Sequence, residues 1–338
     1  MFYRAPGELE SELAEMDECM PHYYRVTNRH GQGAETIMRA EALFYQGHVT
    51  DAHIELERAY AQVGGNGQIN MALCCDFLSW RLSLHTDVER RYTFSERYAA
   101  LLRYHDASWI NIWSATSAYY HALRGETDKI PEIFSQHRLS DIHLLAPGKP
   151  MMEMIENQVY LAQGAYAKVV GRSAELLAAC EAMHYALVAL HIRIQTAAAY
   201  ARLGKPETAH TWLQKALSDA APDGLVMPFA ENYSLLKPLL ARETRSAFAA
   251  RITALGEAAQ ARGAERLRPA AFRALTAREF EIVELMAQRL SNREIAQKCY
   301  LSEGSVKQYV NQIYSKLHIE GDTRTKRAQL AALLHEKT

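Results

Sequence analysis

The sequence predicts an all-α protein in which an array of helical hairpins is followed by a small four-helix unit. Three observations predict it. A Gly-to-Ala pattern recurs along the first two thirds of the 338 residues. Apolar residues recur at spacings of three and four over most of the chain, the period of an amphipathic helix. The last 65 or so residues carry three Ser or Thr caps, two of them followed three residues later by Glu, the signature of a capping box at a helix start.

The recurring pattern is clearest in "YQGHVTDAHIELERAY" and "RLGKPETAHTWLQKAL", which align without gaps. Gly47, Ala52, Leu56 and Ala59 in the first correspond to Gly204, Ala209, Leu213 and Ala216 in the second. Weaker copies begin at Gly125 and Gly164. The glycines at 125, 164 and 204 are 39 and 40 residues apart, and 47 and 125 are 78 apart. A further unit is therefore expected to turn near Thr86 and Asp87. Glycine ends the first helix of each pair in a left-handed backbone conformation, and the small alanine lets the second helix lie close. This pattern resembles the tetratricopeptide repeat, with a longer period than that repeat's usual ~34 residues.

Stacked hairpins of this kind form a superhelix whose concave wall is a binding surface. Trp109, Asn111, Trp113, Tyr119, His121, Tyr160, His184, His191, Arg193 and Gln195 stand on the helices expected to line that wall. Their aromatic and polar character suits a small polar effector. Pro147, Gly148 and Pro150 predict a non-helical loop ahead of one of these helices.

Bulk properties narrow the function classes. Net charge is −1 overall, but residues 268–338 hold 12 Lys and Arg against 8 Asp and Glu, and residues 1–267 hold 26 against 31. The tail is the better candidate for a polyanionic partner. The five cysteines are odd in number and dispersed, without disulfide or zinc spacing, and read as small hydrophobes. No apolar run is long enough for a membrane span. The start, "MFYRAPGELESELAEMDE", lacks a secretory signal pattern, so a cytoplasmic location is expected. No metal, cofactor or catalytic motif is present in the sequence, and an enzyme is not expected.

In the tail, Thr276 with Glu279 and Ser291 with Glu294 open two helices, and Ser302 opens a third. Val306, Val310, Ile313 and Leu317 then share one buried stripe. The opposite face presents Gln308, Asn311, Gln312 and Ser315 with Lys307 at its flank, and no acidic residue lies between Lys307 and Lys316. An amide-rich face free of carboxylates can hydrogen-bond base edges in the major groove. A fourth helix is expected over "TRTKRAQLAALLHEK", with Ala328, Ala331 and Leu334 on its inner side.

These residues resemble the LuxR/NarL-type helix-turn-helix. The matching positions are Leu275, Thr276, Arg278, Glu279, Ser291, Asn292, Glu294, Ile295, Ala296, Ser302, Ser305, Val306, Lys307, Ile313, Lys316 and Leu317, sixteen in one register. The resemblance implies double-stranded DNA as partner and homodimerisation on it. Lys307, Gln308 and Asn311 would face bases, and Asn292, Ser302, Ser305, Tyr309 and Lys316 would face phosphates. Arg289 stands where the family usually has Gly, Cys299 replaces a core Leu, and Tyr309 replaces a frequent His. The segment "HIEGDTRTKRAQ" is also longer than the common form.

A repeat superhelix before such a tail is similar to the MalT-like regulators, which implies three parts: a repeat sensor at 1–240, a helical linker at 241–273 and a DNA-binding domain at 274–338. The phosphate loop of their ATPase domain does not occur in the sequence, so ATP binding is not expected. A chain that enters its repeats at once reads as the C-terminal part of a longer regulator. The expected function is a transcriptional regulator whose repeats sense a small-molecule effector and control operator binding. The alternative is a repeat scaffold that docks a partner protein or a separate ATPase domain, with the same DNA-binding tail.

Overall fold

The computed structural model describes residues 3–64, 68–87, 92–104, 107–142, 148–267, 270–272 and 274–335. They contain eighteen α-helices and no strand: α1 (Leu9–Val26), α2 (Ala34–Tyr45), α3 (Val49–Gly64), α4 (Ile69–His85), α5 (Phe94–Leu101), α6 (Ala107–Leu123), α7 (Glu132–Ser135), α8 (Lys149–Ala162), α9 (Tyr166–Ala182), α10 (Ala186–Arg202), α11 (Pro206–Ala220), α12 (Met227–Glu231), α13 (Tyr233–Leu240), α14 (Ala247–Leu267), α15 (Ala277–Ala287), α16 (Asn292–Cys299), α17 (Glu303–Lys316) and α18 (Thr323–His335). The chain divides into two units, Met1–Ala259 and Gln260–Thr338.

In the first unit the four pattern glycines all have positive φ, at 83°, 70°, 76° and 71° for Gly47, Gly125, Gly164 and Gly204. Each ends a first helix. The amides of Gly47 and His48 return to the carbonyls of Phe44 and Leu43, the closure of a Schellman cap. The small residues behave as the pattern requires: Ala52, Ala59, Ala209 and Ala216 are fully buried at the contacts of α2 with α3 and α10 with α11. Near Thr86, α4 ends with Thr86 extended, and α5 starts behind a Thr93–Glu96 capping box; residues 88–91 lie outside the described set.

The Gly125 copy departs from the pattern. After it come a short 3-10 turn at Thr127–Lys129 and the one-turn α7 in place of a full second helix. Pro131, with no N–H and a fixed φ, interrupts the run. Of the loop expected from Pro147, Gly148 and Pro150, residue 147 is outside the described set, Gly148 caps α8, and Pro150 sits in its first turn.

The first helices of the hairpins converge on a buried polar hub. Arg81 of α4 is 2% exposed and makes a two-pronged ion pair with Glu231 of α12, at 2.7 and 2.9 Å. Arg81 also donates to the Tyr45 hydroxyl on α2 at 2.7 Å, and Tyr119 on α6 donates to Glu231 at 3.0 Å. The rings of Phe44, Tyr45, Phe77 and Tyr119 surround the guanidinium. An amide chain continues the network: Gln195 on α10 donates to Gln158 on α8, which donates to Asn232 beside α12, each at 3.0 Å.

The same convergence brings the start of the unit to its end. Gln46 donates to the Asp223 carbonyl, Arg251 donates to the Gln46 carbonyl, and a Cβ at Gly47 would lie 2.8 Å from Val226 and 2.9 Å from Leu255. The N-terminal segment is held there as well. Asp223 accepts from the Tyr3 hydroxyl and from the amides of Gly7 and Leu9.

The helix expected within 241–273 is α14, and its first turns belong to the core. Ala249 and Ile252 are buried with Phe248 and Leu255 against them, because "AFAARITAL" places apolar residues at helical spacing. Of the expected break after it, Pro269 is outside the described residues. In the second unit α15 to α18 enclose a separate core of Leu275, Ile282, Val283, Met286, Ile295, Val306, Ile313, Ile319 and Leu330. Cys299 is 2% exposed in that core in place of a larger side chain. Cys75 and Cys180 are also buried, whereas Cys19 and Cys74 are exposed, so two of the five depart from the expected role.

Candidate nucleic-acid interface

The caps read from the sequence are formed. Thr276 Oγ1 accepts from the Glu279 amide at 3.2 Å, and Glu279 accepts from the Thr276 amide at 2.7 Å. Ser291 and Glu294 exchange the same pair at 3.3 and 2.7 Å. Ser302 Oγ accepts from the Ser305 amide at 3.0 Å and starts α17. Each cap satisfies donors that a helix N-terminus otherwise leaves open.

On α17 the burial pattern is one-sided. Val306 and Ile313 are fully buried, Val310 and Leu317 pack partly against the core, and Tyr314 joins them. Lys307, Gln308, Asn311, Gln312 and Ser315 are exposed. Lys307, Gln308 and Asn311 occupy positions i, i+1 and i+4 and share one face of the helix. Among the described residues none of the three side chains has a polar partner within the protein, apart from a loose ion pair of Lys307 with Glu303 at 3.6 Å. That pair was legible as an i,i+4 spacing and was missed. Both groups are more than half exposed, so the pairing is weak and leaves the ammonium free to exchange partners.

The residues expected at phosphates differ in how they are held. Ser302 is exposed, half-buried Ser305 bonds it hydroxyl to hydroxyl at 2.8 Å, and Tyr309 is half-buried against the core. Half-buried Asn292 lies 3.5 Å from Arg327 of α18. Lys316 is committed inside the unit: its Nζ donates to both oxygens of Glu279, at 2.8 and 2.7 Å. Glu279, 2% exposed, thus closes the first capping box and ties α17 to α15. Burial alone would raise its pKa, but the Lys316 and Thr276 hydrogen bonds hold it below the ordinary value. Sequence reading gave Glu279 the cap and did not see the tie, which spans 37 residues. Arg278 likewise reaches the Cys299 carbonyl across the core, another contact without a local signal.

The inner side of α18 matches the expected one at Leu334 and departs from it at Ala328. Leu330 is 1% exposed, and Leu333 and Leu334 pack partly on the core, while Ala328 is exposed; the side chain of Ala331 is outside the described set. Leucine buries more apolar area than alanine, which favours the leucine side of α18 as the inward one.

The residues expected on a common effector wall are not brought together on one surface. Tyr119, His191 and Gln195 are buried in the hub and amide chain. Burial and the neighbouring Arg81 charge pull the His191 pKa down to about 3. Half-buried Trp109, Asn111 and Trp113 are on α6, where Trp113 donates to the Phe94 carbonyl. His121 pairs with Glu126 at 2.7 Å. Tyr160 stacks on His137 at 3.8 Å between ring centres. His184, in the turn between α9 and α10 with φ 53°, and Arg193 on α10 are the two that line an open cleft of about 510 Å³.

Among the described residues no group of His, Cys, Asp and Glu could hold a metal ion, and no helix is long and apolar enough to cross a membrane. Comparison with known proteins bears on the second unit. The chain is 44% identical over 50 residues to the transcriptional regulatory protein LnrK of Bacillus subtilis (strain 168), a match covering 15% of this chain and 23% of that protein. No solved structure matches the chain. Residues 273–328 match the family of bacterial regulatory proteins, luxR family, so the capped helices α15 to α18 form a luxR-type helix-turn-helix domain.

Proposed function

We propose that the chain is a DNA-binding transcriptional regulator in which α17 enters the major groove and the first unit senses a small-molecule effector. The observation that carries the DNA reading is the exposed Lys307–Gln308–Asn311 face on a helix whose other side is anchored by Val306 and Ile313. Lysine pairs with guanine acceptors and asparagine or glutamine with adenine, so the three side chains suit base edges. Asn292, Ser302, Ser305 and Tyr309 flank that face and suit phosphate oxygens, helped by the positive end of α17. Lys316 serves instead to hold α17 on α15.

One such domain buries little DNA surface, so two copies on adjacent half-sites supply the affinity. The sensing role rests on an open cleft lined by polar side chains in the unit that precedes the reader.

The test begins with duplexes enriched from a random pool by the purified chain. Lys307→Ala and Asn311→Ala are each expected to weaken binding to the enriched duplex by about 1 to 3 kcal/mol in salt-controlled gel shifts. Wild-type affinity in both variants would remove this face from the interface.

A further inference from the structure

The cleft of about 510 Å³ is built between α9, α10, α11 and the N-terminal segment at Tyr3–Pro6. Its volume is in the range of small-molecule sites. Its length follows from the hairpin. On α9 the lining runs from Glu181 back to Ala174, and on α10 from Ala186 forward to Arg193. Each stretch spans eight residues, seven helical steps or about 10 Å. Because α9 and α10 are antiparallel about the turn at His184, Glu181 lies at the turn end and Arg193 at the far end. The α10–α11 hairpin turns at Gly204, and Arg193 and Lys215 are each eleven residues from it, so Lys215 is level with Arg193.

The two ends carry opposite charge. At the far end Arg193 and Lys215 share one carboxylate, Asp219, at 3.1 and 2.9 Å. Two cations on one anion leave a positive charge unspent, and Arg193 reaches Asp219 through Nη1 alone, so the other donors of its guanidinium are open to the cleft. At the turn end Glu181 is exposed and has no ion-pair partner among the described residues. The nearby Arg4 spends its charge on Glu12 and Glu15. Between the ends the floor is apolar, formed by Leu177, Ala189 and Leu190, with exposed Ala178 on the rim. The Tyr3 carbonyl accepts from the Ala186 amide, so the N-terminal segment closes one side.

We infer that this cleft binds an elongated zwitterion, a small molecule with a carboxylate at one end, an ammonium about 10 Å away and an apolar body between. The carboxylate meets Arg193 and Lys215, the ammonium meets Glu181, and the body lies on the leucine and alanine floor. This rests on reading the first unit as the effector-binding part, and it places that function away from the buried hub. Singly charged molecules of the same length leave one end of the cleft unmatched, which is how the site discriminates.

The probe is 8-aminooctanoate, with octanoate and octylamine as single-headed controls, titrated calorimetrically into the full chain. Saturable binding of 8-aminooctanoate, about tenfold tighter than either control, is expected. Arg193→Gln should lower its affinity about tenfold, and Glu181→Gln should reduce it to that of octanoate. Ala178→Trp, on the exposed rim, fills the cleft and should abolish binding with the fold intact by circular dichroism. No saturable binding, or equal binding of the zwitterion by wild type and all three variants, overturns the site. Duplex affinity of the same preparations keeps the two claims apart. Retained DNA binding with no zwitterion binding sinks the cleft alone, and zwitterion binding that leaves duplex affinity unchanged keeps the site while removing its coupling to DNA.

Discussion

Three helices of the second unit end on side chains that carry a steric penalty. Arg289, Tyr300 and His318 have φ of 65°, 53° and 52°. Each is the left-handed residue of a cap in which the following amide returns to the last turn, as Leu290 does to Leu285, Leu301 to Ala296 and Ile319 to Tyr314. Left-handed backbone costs a non-glycine residue about 1 to 2 kcal/mol. Arg289→Gly and Tyr300→Gly are therefore each expected to stabilise the second unit by about 1 kcal/mol, read as a higher urea midpoint with unchanged slope. Glu279 acts in the opposite sense. Its pKa is held low in the folded state, so its contribution is present above about 4.5 and is lost as pH falls below that value. Glu279→Gln should cost about 1 to 2 kcal/mol at neutral pH, the exposed side of Lys316 being screened by water, and should flatten the acid limb of the stability profile. The Arg289 cap was legible because a glycine position in the resembled pattern is occupied by arginine. Tyr300 and His318 gave no such signal, since a Schellman closure depends on backbone bonds that side-chain spacing does not reveal.

At the scale of elements, α14 contains two glycines with opposite expectations. A Cβ at Gly256 would fall 2.2 Å from the Tyr233 ring, so the glycine is what lets α14 lie on α13. Gly263 has nothing within 4 Å of the added carbon among the described residues. Gly256→Ala should lower the melting temperature, whereas Gly263→Ala should raise stability by about 0.5 to 1 kcal/mol through helix propensity. The hub that joins α2, α4, α6 and α12 makes a second prediction. Arg81→Met leaves Glu231 charged and buried, at a cost of about 3 to 5 kcal/mol, and Arg81→Met with Glu231→Leu should recover much of the loss. The hairpins were legible because glycine, alanine and leucine at fixed offsets encode a turn and a close helix contact. The hub was not, because Arg81 and Glu231 are 150 residues apart and an Arg in an apolar helix gives no sign of its partner. Helical periodicity marks the aromatic and histidine residues of the expected wall but does not distinguish a surface position from a buried one such as Tyr119, His191 or Gln195.

For the whole molecule, the two units are expected to fail at different acidities. His191 is neutral when folded and its pKa is depressed to about 3, so the unfolded chain takes up a proton below about 6.5 that the folded chain refuses. The first unit should lose stability from about pH 6.5 downward, and His191→Gln should shift that onset to lower pH in thermal melts. The second unit, without that buried histidine, should hold until its carboxylates titrate. In the proposed complex α17 reads bases with Gln308 and Asn311 while flanking groups hold the backbone. The most direct measurement of this reading is a base-by-base preference profile of wild type, Gln308→Ala and Asn311→Ala on the enriched duplex, taken with the salt dependence of binding. Each variant is expected to lose preference at one or two positions with its salt slope unchanged, because amide contacts to base edges release no counterions. A preference profile identical to wild type, or uniform weakening at every position with a reduced slope, would contradict it.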